Sequence, residues 1–164
     1  MTVTDATMNA EEIGRRILKL IGSLRDARDL APGKIEQETG FLVEFSANDP
    51  NVYGFGGRLD DDRSYSLVST PDTQDEKPTS LRFSFDAEDG DGADPSSVCA
   101  PSFEAYAAAL HDLGFASEPI RAYPGSYSRY FTRGDISVTA YADRDPAGDG
   151  ARACLSRLII SANA

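Results

Sequence analysis

Two rhythms alternate along this chain. From Asn9 onward, Ile13, Ile17, Leu20, Ile21 and Leu24 recur at the three-to-four spacing of one helix face, with Arg15, Arg16, Lys19, Arg25 and Arg28 largely on the other. Asn9 with Glu12 three residues on has the spacing of a capping box, and Ala31-Pro32-Gly33 reads as the end of this helix. The period then shortens to two. Segments 41–47, 52–59, 64–70 and 80–86 read as strands. The last alternates cleanly, with Leu81, Phe83 and Phe85 on one face and Arg82 and Ser84 on the other. Glycines within 52–59 predict a bulge or a close approach of backbones.

The helical rhythm returns after residue 101. Ser102 is placed to cap a helix whose apolar stripe is Phe103, Tyr106, Ala107, Leu110 and Leu113, and Gly114 closes it. Four more strand segments follow, at 117–123, 126–132, 136–142 and 153–162. Pro119 marks the first as an edge, and Arg133-Gly134-Asp135 reads as a tight hairpin turn. The predicted fold class is α+β: two αββββ units, each with one helix packed on antiparallel sheet. Residues 1–8 form a tail, 9–86 the first unit, 87–101 an acidic linker and 102–162 the second unit. One continuous sheet is the alternative arrangement.

Charge changes the picture of partners. The net charge is −11, and residues 35–164 carry all of it, since residues 1–34 hold six Lys/Arg against five Asp/Glu. Such a body repels nucleic acid and anionic membranes and steers a basic protein partner toward itself. No apolar run approaches the roughly 20 residues of a membrane span. The first residues lack the basic and apolar regions of a signal peptide, which leads to a cytoplasmic expectation if the first Met is the native start. Cys99 and Cys154 have no metal-ligand spacing. In a cytoplasm they read as two buried thiols, and in an oxidising compartment they could pair.

Candidate chemistry is sparse. The stretch Asp86–Pro95 fails the calcium-loop register, with glycine or alanine where oxygen ligands belong. The loop 143–152 fails it in the same way. His111 is the single histidine, with no nucleophile turn nearby, and reads as a surface residue. Glu44, inside an apolar strand segment, should face the polar side. Gly54–Gly57 lacks the helix that a dinucleotide fingerprint opens, and Arg133–Asp135 matches the integrin-ligand tripeptide only in letters. No catalytic, cofactor or metal residues are assigned, and the chain is not expected to be an enzyme.

The aromatic pattern is more informative. Tyr53, Phe55, Tyr65, Tyr123, Tyr127, Tyr130 and Tyr141 lie in strand segments, interleaved with Ser, Thr and Gly. That composition suits a protein-binding surface, and it equally suits cross-strand packing. The expected partner-binding set is Tyr53, Phe55, Tyr65, Tyr123, Tyr127 and Tyr130, with Asp86, Glu88, Asp89 and Asp91 supplying acidic steering. The order of elements resembles the layout of the β-lactamase inhibitor proteins, whose tandem units present a concave Tyr- and Ser-rich sheet to an enzyme. In size, acidity and lack of motifs the chain also resembles bacterial toxin-immunity proteins. The likeness is one of layout. The chain departs from the inhibitors in its cysteine count and its N-terminus, and no residue carries over. It implies a non-enzymatic inhibitor or immunity-type protein. A small-ligand protein or enzyme with a pocket between sheet and helix, and a secretion chaperone or assembly subunit, are the alternatives.

Overall fold

The computed structural model describes residues 9–59, 63–70, 79–87, 102–123, 126–142 and 153–162. Helix α1 spans Ala10–Ser23, and the Asn9 side chain accepts the Glu12 amide at 2.7 Å as the cap spacing requires. It ends earlier than the sequence pattern predicts. Leu24 turns extended, a 3-10 turn follows at Ala27–Leu30, and α2 runs over Pro32–Thr39. Pro32 therefore starts a helix instead of stopping one: at the first position its missing N–H leaves no intrahelical bond unmade, and its fixed φ suits the first turn. Gly40, at φ 80°, closes α2 in the left-handed conformation. Helix α3 spans Phe103–Asp112, capped by the Ser102 hydroxyl, which accepts from the Ala105 amide at 3.0 Å.

Nine strands appear among the described residues: β1 (Glu44–Phe45), β2 (Tyr53–Arg58), β3 (Arg63–Thr70), β4 (Ser80–Ala87), β5 (Ala116–Ser117), β6 (Arg121–Tyr123), β7 (Ser126–Arg133), β8 (Ile136–Ala142) and β9 (Leu155–Ala162). The 41–47 segment shrinks to two residues. The 117–123 segment becomes β5 and β6, two short edge pieces on β7 with Pro119 between them. All strands join one antiparallel sheet in the order β1-β2-β3-β4-β9-β8-β7-β5, with β6 also on β7. The final strands of the two predicted units meet at its centre, where β4 pairs with β9.

The helices share one face of this sheet and one core. Phe83, Phe103, Phe131 and the α1 residues Ile13, Ile17, Leu20 and Ile21 are fully buried within a single apolar cluster. Each such side chain contributes roughly 1.5–3 kcal/mol relative to exposure. The Tyr106 hydroxyl of α3 donates to the Gly14 carbonyl of α1 at 3.1 Å, which ties the two predicted units together beneath the sheet. The continuous arrangement is the one realised.

Candidate protein-binding face

Strand alternation sorts every side chain to one of two faces. On the covered face lie Tyr53, Phe55, Tyr65, Leu67, Leu81, Phe83, Leu158, Ile160, Val138 and Phe131, buried or packed against the core. Among the described residues no helix lies on the opposite face. Its described positions are half-buried or exposed throughout. Pairing registers lay them in rows across the sheet. One row runs Gly54, Val68, Arg82, Ile159, Thr139, Tyr130. The next runs Gly56, Ser66, Ser84, Arg157, Tyr141, Ser128. A β-bulge between Tyr141 and Ala142 lets Ser156 slip out of register, and its hydroxyl donates to the Tyr141 carbonyl at 3.2 Å.

The face is polar and floored with hydroxyls. The Ser66 and Ser84 hydroxyls lie 3.3 Å apart on neighbouring strands. Arg157 stacks its guanidinium 4.2 Å over the Tyr141 ring, which holds both side chains flat on the sheet. Tyr130 is one of the exposed large apolar side chains, at 36 % exposure. Val68 and Ile159 are half-buried among these polar neighbours.

The structure divides the predicted aromatic set. Tyr53 is buried, and its hydroxyl donates to the Leu30 carbonyl at 2.5 Å, while burial pushes its pKa up to about 12. Tyr65 is buried in contact distance of Phe41 and Phe55. Burial raises its pKa, and the nearby Arg16 guanidinium pulls against that shift. Phe55 stacks on Phe41 at 4.8 Å, and Tyr127 packs against the core. These four lie beneath the sheet because odd-numbered positions of β2, β3 and β7 face the helices. Burial withdraws Tyr53 and Tyr65 from a partner's reach, while Phe55 and Tyr127 stay half-buried on the helix side. Tyr130 remains on the open face, joined by Tyr141. The Tyr123 side chain lies outside the described residues, as do Glu88, Asp89 and Asp91, and as does the 143–152 loop. Asp86 is exposed at the end of β4 and accepts a hydrogen bond from the Ser84 hydroxyl at 3.3 Å.

The other candidates resolve as structural. Arg133, in the predicted hairpin, turns inward and donates to the carbonyls of Leu113 at 2.8 Å and Leu24 at 2.9 Å. It makes longer bonds of 3.4 Å to Ile21 and Gly22, and stacks 4.6 Å over Phe115. It therefore satisfies carbonyls at the C-terminal ends of both α1 and α3, which removes it from any exposed tripeptide ligand. His111 is exposed, hydrogen-bonds the Ser117 hydroxyl at 2.8 Å and rests on Phe131. Glu44 faces the open side of β1 and is exposed. No cluster of three or more His, Cys, Asp or Glu suited to a metal occurs among the described residues. A groove of about 330 Å³ lies between α1 and α2, lined by Glu12, Arg15, Arg16, Lys19, Glu38 and Thr39 among others. Its guanidinium at Arg16 is already held by Glu12 at 3.0 Å and the Thr39 carbonyl at 2.9 Å.

One bulk expectation also changes. Cys154 is half-buried and disulfide-bonded, so the reading of two free buried thiols gives way. Cys99, the only other cysteine, lies outside the described residues. The described residues hold thirteen Lys/Arg and thirteen Asp/Glu, so the excess negative charge belongs entirely to the segments outside them. No helix among the described residues is long and apolar enough to cross a membrane. No family model, curated protein or solved structure matches the chain.

Proposed function

We propose that the chain is a non-enzymatic protein-binding module of the inhibitor or immunity type, and that it engages its partner with the open face of the sheet. The observation that carries this reading is the face itself. It has a broad, half-exposed surface of Ser, Thr, Tyr and Arg side chains on central, rigid strands, while the helices occupy the other side. Rigid aromatic and Arg anchors among small hydroxyl residues are the composition that binding surfaces favour. The partner-facing aromatics in this reading are Tyr130 and Tyr141. The disulfide at Cys154 moves the expected setting from the cytoplasm toward an oxidising compartment, because cytosolic reductants keep thiols free.

The test compares the wild-type chain with Ser84→Trp, which plants a bulky ring in the middle of the face. The two are used as baits in native lysate and secreted medium under crosslinking. A stoichiometric protein captured by the wild type and lost with Ser84→Trp is expected. A partner that binds both equally, or no stoichiometric partner at all, overturns the reading.

A further inference from the structure

The open face departs from the charge of the chain as a whole. Arg82 is directly opposite Ile159, and Arg157 lies two residues further along the same strand. The two arginines are therefore diagonal neighbours on β4 and β9, at a spacing of about 7–8 Å. Both are exposed. Like charges at this spacing repel, and a chain with more carboxylates than cations could have supplied a partner for them. None closes an ion pair with either arginine among the described residues. The nearest acidic position on the face is Asp86, the other diagonal neighbour of Arg157; its carboxylate accepts from the Ser84 hydroxyl at 3.3 Å and makes no ion pair with either arginine. Arg157 lies over the Tyr141 ring at 4.2 Å, a contact that favours a pose flat on the sheet. The Ser66 and Ser84 hydroxyls lie one row along from Arg82 and can turn to donate.

We infer that this Arg82–Arg157 pair is the anchor point for a carboxylate side chain on an acidic segment of the partner protein. The inference rests on the reading of the open face as the binding surface and gives it a chemistry. Two forked guanidiniums flanking one carboxylate offer charge-assisted hydrogen bonds from both sides. Their central place on the sheet is where anchors of an interface concentrate their effect. The acidic segments that set the net charge of the chain argued for a basic partner. The face that remains open selects an acidic contact at its centre.

The probes are two synthetic decapeptides, deca-glutamate and deca-glutamine, titrated into isotope-labelled protein while backbone amide shifts are followed by NMR. Deca-glutamate should move the amides of Arg82, Ser84, Arg157 and Tyr141 and bind at least about five-fold more tightly than deca-glutamine, with the preference fading as salt is raised. The double variant Arg82→Gln, Arg157→Gln should abolish that preference, and its unchanged thermal melt would show that the fold persists. Three outcomes overturn the anchor: equal binding of both peptides on the open face, a preference that survives the double variant, or equal competition by inorganic phosphate, which marks a small-anion site. Equal binding there leaves the face reading standing, whereas shifts confined to other surfaces remove both.

Discussion

At the scale of single residues, a few side chains carry consequences out of proportion to their size. Arg133 serves two helix ends at once, donating to the carbonyls of Leu24 and Leu113 and, at longer range, to those of Ile21 and Gly22. Arg133→Met keeps the apolar stem and removes the donors. It should cost about 2–4 kcal/mol of stability by urea unfolding, given the strength of charge-assisted bonds and the penalty on orphaned carbonyls. The buried tyrosines make a separate claim. Burial raises the pKa of Tyr53 to about 12 and raises those of Tyr65 and Tyr106 as well. In the unfolded chain a tyrosine titrates near 10, so above that pH the unfolded state sheds protons that the folded state retains. Their contribution is complete below about pH 10 and is lost as pH rises toward the folded values. Urea midpoints should fall between pH 10 and 12. Tyr53→Phe should flatten part of that fall. The part of the tyrosinate absorbance that Tyr53→Phe removes should appear only with unfolding; that same part appearing in the still-folded protein at pH 10 would contradict the assignment.

At the scale of elements, β2 shows how glycine content and strand geometry are linked. A Cβ added at Gly54 would stand 1.9 Å from the Leu67 carbonyl oxygen of β3, closer than any contact a side chain can make. The strand lies against its neighbour there because Gly54 has no side chain. Gly54→Ala should push β2 off β3 and cost at least about 2 kcal/mol, with hydrogen exchange accelerating first in residues 53–58. The sequence predicted a bulge or close approach at this glycine-rich run, and it is the close approach that occurs. It could not foresee the shrinkage of 41–47 to β1. Leu42 at 80 % and Phe45 at 56 % exposure have the composition of a strand, but they stay exposed and only Glu44 and Phe45 pair with β2. Nor could it foresee α2, because Ala-Pro-Gly ends one helix and begins the next with equal ease.

At the scale of the whole molecule, the joining of β4 to β9 makes one sheet out of two αββββ patterns. Amides on either side of that seam, such as Leu67 and Val138, should therefore lose protection at the same urea concentration, in one cooperative transition. Separate midpoints would restore the picture of two modules on a hinge. The disulfide at Cys154 leads to a further expectation: the protein purified without reductant should show no reactive thiol until unfolded and reduced. Reduction should then lower its stability by about 2–4 kcal/mol.

Local patterning in the sequence determined α1 and α3 with their N-caps, the long strands, the hairpin at Gly134–Asp135 and the α+β class, because amphipathic period and capping chemistry act over a few residues. It also determined that Tyr, Ser and Thr would line strands. Which of those tyrosines could meet a partner was decided only by tertiary structure. Alternation separates two faces, but it does not say which one the helices will cover, and that choice buried Tyr53 and Tyr65 while leaving Tyr130 and Tyr141 open. The pairing of Arg82 and Arg157 has the same origin. The two residues are far apart in the chain and become neighbours only through the β4–β9 register.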